Sequence, residues 1–229
     1  MTLDRAASHH LGSVLRARPG DGFVAFDPET RVEADGQVLE VERGRIHAEI
    51  GAVRPGRVVA PLPITWIQGL AKGEKMDNIV RDATELGATH FVPVATEFSI
   101  VRLAAARVEA RRARWTRIAE EAARQSGRAD PPSISAVLSW DDAIGSGTGD
   151  AARFCLFERA REPLGPALAR ALRRGDALAF AAGPEGGLAG EEVESAREAG
   201  FEVVSLGELI LRTETVVTAV LGAVRILLP

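Results

Sequence analysis

From Ile64 onward, short apolar runs alternate with longer segments of helical periodicity, and no other feature limits the fold as tightly. Ile64–Leu70 reads as a buried strand. The segment 73–86 follows with Met76, Ile79, Val80, Ala83 and Leu86 spaced on one helical face, and Gly87 stands where a C-cap belongs. Phe91–Val94 reads as strand and 105–126 as one long helix. Strands over 133–138, 153–158, 176–182 and 201–206 then alternate with helices over 165–173, 190–199 and 214–228. This alternation predicts an α/β fold, a parallel sheet with helices on its faces. Ligands in such sheets bind beyond the carboxyl ends of the strands, so the loops there matter most.

The first part of the chain has a different rhythm. Turn signals recur at Pro19-Gly20-Asp21-Gly22, Asp27-Pro28, Asp35-Gly36, Arg43-Gly44 and Pro55-Gly56. Between them, Ile46-His47-Ala48-Glu49-Ile50 alternates apolar and polar residues as a half-buried strand requires. Evenly spaced short strands predict a small β-barrel or sandwich over residues 1–61, followed by an α/β domain over 62–229. The 229 residues, with 46% hydrophobic and 26% charged, allow one or two domains with proper cores and exclude disorder as the main state.

Several function classes fall away on composition. The apolar run Val216–Pro229 carries Arg225 and is shorter than the roughly 20 residues a membrane span needs. No signal-peptide pattern occupies Met1–Arg16, and Cys155, the single cysteine, allows no internal disulfide; both fit a cytoplasmic protein. His9, His10, His47 and His90 lack metal-ligand spacing, so no metal is expected. A net charge of −4 argues against a surface basic all over. One local patch stands out: arginines 102, 107, 111, 112, 114, 117, 124 and 128 face only glutamates 109, 120 and 121. A solvated helix face with internal ion pairs would read the same way.

Two loops carry the candidate chemistry. Gly183-Pro184-Glu185-Gly186-Gly187 follows the apolar run Ala177–Ala182, and its glycines permit positive φ or close approach to a ligand. It matches neither the P-loop pattern nor the dinucleotide fingerprint, and a glycine cluster alone suits an ordinary strand-to-helix turn. The second loop, Ser205–Thr215, holds Leu206, Leu209, Ile210 and Leu211, which something must bury: a flat apolar ligand or local packing. Arg212-Thr213-Glu214 opens the last helix. Thr213 can cap that helix and Glu214 favours its positive end, whereas Arg212 opposes the dipole.

Gly183-Pro184-Glu185-Gly186-Gly187-Leu188, then Leu206-Gly207 and Leu211-Arg212-Thr213-Glu214-Thr215, resembles the family that methylates uridine N3 in small-subunit ribosomal RNA, within the knotted SPOUT superfamily. Further matches run through nearly the whole chain in order: His10 with Val14-Leu15-Arg16, Gly73-Glu74-Lys75-Met76 with Glu85-Leu86-Gly87, and Trp115 with Gln125-Ser126-Gly127-Arg128. Each motif is weak alone; their ordered combination is specific. Three departures stand against it. Asp82 replaces a basic residue, Phe98 an arginine, and the chain starts about one strand later than the family's.

The resemblance implies a PUA-like RNA-binding β-barrel followed by a SPOUT methyltransferase domain with a C-terminal trefoil knot, in a homodimer. It implies S-adenosylmethionine as cofactor, held by Gly183, Pro184, Glu185, Gly186, Gly187, Leu206, Gly207, Ile210, Leu211 and Thr215. It implies ribosomal RNA as partner, met by Arg16, Lys72, Lys75, Arg124 and Arg128. Arg212 would stabilise charge developing on the uracil oxygens. Glu214 would serve as general base, with helix-end electrostatics an equally good account of it. The nearly apolar helix Val216–Leu228 fits burial in a knot and dimer contact, or a monomer core. Two rival expectations are a related enzyme acting on another RNA and an inactive RNA-binding relative.

Overall fold

The computed structural model describes residues 1–27, 30–42, 44–99, 105–146 and 149–228, so Pro28, Arg43 and Arg102 lie outside the described residues. The chain divides into two compact units, Met1–Val59 with Arg128–Asp130, and Ala60–Gly127 with Pro131–Pro229.

In the first unit, strands β1 (Gly22–Asp27), β2 (Val32–Glu42), β3 (Arg45–Ile50) and β4 (Arg54–Pro55) pair antiparallel. The long β2 takes β1 along one edge and β3 then β4 along the other, and Thr2 adds an isolated antiparallel bridge to His47 of β3. The alternation in β3 buries Ile46 and Ala48 with Val38 and Leu11. Leu11 comes from a segment whose helical form the turn signals did not reveal, α1 (Arg5–His9) running into a π-helical turn, His10–Val14.

In the second unit, seven strands among the described residues form an entirely parallel sheet. They are β5 (Ile64–Gly69), β6 (His90–Ala95), β7 (Ser133–Ile134), β8 (Leu138–Ser139), β9 (Ala152–Leu156), β10 (Leu178–Ala182) and β11 (Glu202–Val204). Their order is β11-β9-β10-β5-β6-β7, with β8 also on β6. Helices α2 (Lys75–Glu85), α3 (Ala105–Ser126), α5 (Leu164–Arg174) and α7 (Thr213–Leu227) pack on one face around Trp66, Phe91, Phe154 and Phe180. Helices α4 (Trp140–Gly145) and α6 (Gly190–Glu198) cover the other face over Ile67, Val94, Cys155 and Ala181. Period-2 alternation explains the split, since neighbours such as Trp66 and Ile67 must face opposite ways.

The predicted face of α2 is correct: Met76, Ile79, Val80 and Ala83 are fully buried, and Gly87 takes φ +105° after the helix. The single strand expected over 133–138 is instead two short strands, and α4 after them was not foreseen. In α4, Ser139 caps by accepting from the Asp142 N–H. Because all seven strands run the same way, the segments after β9, β10 and β11 emerge at one edge of the sheet.

Candidate active site

At that edge lies a cavity of about 410 Å³. Its wall includes Gly183 to Gly187 after β10, Leu206, Gly207 and Leu209 to Thr213 after β11, and Leu156 to Glu158 after β9. The two loops singled out in the sequence therefore share one pocket. The Thr213 hydroxyl donates to the Gly183 carbonyl oxygen at 3.0 Å, tying them together. Gln68, at the end of β5, reaches both: its Nε2 lies 3.0 Å from the Gly183 oxygen and 3.1 Å from Thr213 Oγ1.

The glycines are where side chains would not fit. A Cβ on Gly183 would come within 2.6 Å of the Gly187 carbonyl, and one on Gly186 within 2.7 Å of the Phe98 Cβ. Phe98 thus packs against the glycine loop. Gly187 and Gly207 hold φ of +76° and +104°, which L side chains resist.

Leu209 and Ile210 are not buried by the chain: they are 80% and 84% exposed and line the cavity with the half-buried Leu206 and Leu211. The expectation of burial is met only if a ligand or another surface covers them. Thr213 is not the cap of α7; Arg212 holds that position, extended at φ −66° and ψ 150°, and the Thr213 side chain turns to Gly183 instead. Arg212 is exposed on the cavity wall, with no carboxylate in ion-pair reach among the described residues. Thr215, expected at the cofactor, is absent from the wall; its N–H bonds the Arg212 carbonyl and closes the first helical turn.

Charge gathers around Lys75. Its ammonium is 3.3 Å from Glu185 and 3.7 Å from Glu214, and it lines the cavity, so its position joins it to this pocket. Burial works to raise the Glu185 carboxyl, but hydrogen bonds from backbone N–H groups, Lys72's at 3.1 Å among them, and from Lys75 outweigh it. Its pKa therefore lies below the ordinary glutamate value. Glu214 Oε2 is buried with no hydrogen-bond partner among the described residues. Glu158, which sequence reasoning missed, stands beside Gly187, both carboxylate oxygens 3.6 Å from where a Cβ there would sit. Spacing gave no signal for it, because it belongs to a third loop.

The predicted RNA contacts separate. Arg16, Lys72 and Arg124 are exposed. Arg128 is 3% exposed, its Nε 3.0 Å from Asp130 Oδ1 and its Nη2 donating to the Asp130 carbonyl. A guanidinium desolvated and paired in this way holds structure, which corrects the expected phosphate contact. The basic helix also spends charge in ion pairs, Glu109–Arg112 within itself and Arg114 with Asp77 of α2. Asp82 binds Arg81 at 2.7 Å and accepts from Thr218.

Residues 59–225 match the RNA methyltransferase domain family, and residues 3–51 the PUA domain of RNA methyltransferases. The chain belongs to the RNA methyltransferase family. It is 34% identical to the ribosomal RNA small subunit methyltransferase E of Synechocystis, over all of this chain and 73% of that one. It is 30% identical to the protein of the same name from Bacillus subtilis, over 94% and 86%. Among solved structures, the Neisseria gonorrhoeae ribosomal RNA small subunit methyltransferase E bound to S-adenosyl methionine superposes with TM-score 0.88 at 32% identity, covering 99% of this chain and 91% of that one. A Legionella pneumophila methyltransferase in complex with the same cofactor reaches 0.85 at 26% identity, over 99% and 91%. In this methyltransferase, no group of three or more metal-ligating side chains is arranged for an ion, and no helix is long and apolar enough to cross a membrane, among the described residues.

Proposed function

We propose that this RNA methyltransferase uses S-adenosylmethionine to methylate N3 of a uridine in 16S ribosomal RNA of the small subunit. It works in the cytoplasm as a homodimer, with its last strands and α7 threaded as a trefoil knot. The observation that carries the reading is the joining of the 183–187 and 206–213 loops into one cavity by the Thr213–Gly183 hydrogen bond. The cavity suits the cofactor: glycines leave room for close approach, four apolar side chains offer a flat nucleoside a surface, and Glu158 and Glu185 favour a cation. The exposed Leu209 and Ile210 also support contact with a second copy.

When bound, the cofactor supplies an electrophilic methyl on a good leaving group, so the protein's task is alignment. Gly183 to Gly187 and Leu206 to Leu211 orient it. Arg212, cationic and on the wall, stabilises negative charge gathering on the uracil oxygens as N3 loses its proton. Glu214, off the cavity wall and with Oε2 3.7 Å from the Lys75 ammonium, turns toward the cavity to accept that proton as general base. Arg16, Lys72 and Arg124 hold phosphates. The base must be unpaired or flipped out, since a duplex hides N3.

Incubation with labelled S-adenosylmethionine and undermethylated small subunits, then nucleoside mass spectrometry, tests the reading. The expected product is 3-methyluridine; any other methylated nucleoside overturns the substrate assignment.

A further inference from the structure

Gln68 is fully buried at the carboxyl end of the central strand β5, and no motif marks it. Its hydrogen bonds have a determined direction. The Trp66 indole N–H can only donate, so its 2.9 Å contact identifies Oε1 of the Gln68 amide. The amide nitrogen then faces the other way, 3.1 Å from the Gly69 carbonyl oxygen, 3.0 Å from that of Gly183 and 3.1 Å from Thr213 Oγ1. The Thr213 hydroxyl donates its own hydrogen bond to the same Gly183 oxygen. Two donors from two distant segments thus converge on one carbonyl and hold it turned into the protein. The next residue adds a steric stop: a Cβ on Gly69 would lie 2.5 Å from Pro184 Cδ and 2.7 Å from its nitrogen.

We propose that Gln68 is a positioning residue of the methyltransferase pocket, fixing the start of the glycine loop against the first turn of α7 before any ligand arrives. It is not on the cavity wall and acts through Gly183 and Thr213. A glycine-rich loop without this anchor samples more conformations, and ordering it at binding weakens the ligand. The inference rests on the proposed reading of the cavity as the S-adenosylmethionine site.

Gln68→Met keeps the length and loses both the acceptor and the donor of the amide. Gln68→Glu keeps an acceptor for Trp66 and sets a carboxylate against the Gly183 carbonyl. S-adenosylmethionine binding by calorimetry, single-turnover methylation at saturating cofactor and thermal melting are measured on both. Each variant is expected to bind the cofactor about tenfold more weakly and to turn over more slowly while still folded. Combined with Thr213→Val, the loss in affinity falls short of the sum, because both groups act on one carbonyl. Should Gln68→Met not fold, Gln68→Glu decides. A folded variant with a lower melting temperature but unchanged affinity and turnover overturns the positioning role, as do additive losses. Absence of binding by the unaltered chain instead sinks the cofactor reading, and the inference with it.

Discussion

The Thr213 hydroxyl and the Gly183 carbonyl, 30 residues apart in the chain, meet at 3.0 Å and close the pocket's floor. The contact makes one cavity of two loops that sequence separates. Thr213→Val keeps the shape and removes the donor, leaving Gly183 with Gln68 alone. The expected cost is about 0.5–1.5 kcal/mol in stability, together with weaker cofactor binding. Thr213→Ser keeps the hydroxyl and should bind nearly as the unaltered protein does. Equal behaviour of the valine and serine variants in melting and calorimetry would show that the hydrogen bond is idle.

Arg212 stands at the cavity with no carboxylate to neutralise it among the described residues. Its charge is available to a substrate, and it sits before α7, where the helix dipole does not favour a cation. Arg212→Ala is expected to slow turnover by about 10²–10³-fold with S-adenosylmethionine affinity nearly kept. Single-turnover kinetics beside calorimetry separates the two effects; unchanged turnover removes Arg212 from the chemistry.

The α/β order was legible because buried strands and amphipathic helices carry periods of 2 and 3.6, and α2 and α3 appear close to where those periods put them. The glycine and leucine-rich loops were legible as motifs. Gln68 and Glu158 were not, since each lies in a segment whose local pattern is ordinary and gains meaning only through contacts more than a hundred residues away or across a sheet edge. Arg128 misled for the same reason: an arginine in a basic run looks solvated until Asp130 and its burial are seen. Thr213 looked like a cap because its residue type suits one, yet tertiary partners take its hydroxyl, which donates to the Gly183 carbonyl and accepts from Gln68 Nε2.

Arg128 and Arg124 lie four residues apart and predict opposite phenotypes. Arg128→Ala removes the buried guanidinium that pairs with Asp130, an expected loss of roughly 3–5 kcal/mol visible in thermal melting. Arg124→Glu alters an exposed position and should leave melting unchanged while weakening RNA binding and flattening its salt dependence. Filter binding across a salt series checks the second; full affinity there would make the exposed end of α3 merely solvated.

Glu185 gives the pocket a pH limit. Its folded pKa is held below the ordinary glutamate value of 4.5, so the fold favours the ionised form. That contribution is fully present above about 4.5 and is lost as pH falls through the lower folded value. Glu185→Gln removes the titrating group but not the bulk, and its stability should fall less steeply with acid than that of the unaltered chain. Glu33 and Asp35 also titrate low, held by the Arg57 backbone N–H and the Arg54 guanidinium respectively, so the difference between the two proteins is the quantity to read. Parallel acid curves in melting experiments would remove Glu185 from the balance.

Gly69 tests whether close seating of the glycine loop matters. The residue ends β5, in register with Val94 of β6, whose carbonyl accepts from the next residue's N–H, that of Leu70, so the strand has little room to retreat. A Cβ there would press the Pro184 ring and backbone at 2.5 and 2.7 Å, and the Gly183 carbonyl carbon at 3.1 Å. Neither a ring nor a backbone can swing aside as a flexible side chain does, so the 183–187 loop itself must shift into the cavity. Gly69→Ala is therefore expected to cost about 1–3 kcal/mol in stability and to weaken S-adenosylmethionine binding by more than about tenfold. Gly190→Ala provides the control, because a Cβ there meets nothing within 4 Å and the position begins α6. It should leave both quantities nearly unchanged or add slightly to stability. If Gly69→Ala bound the cofactor as tightly as Gly190→Ala, the loop would have to be adjustable, and the rigid junction between β5 and Pro184 would not be what shapes the pocket.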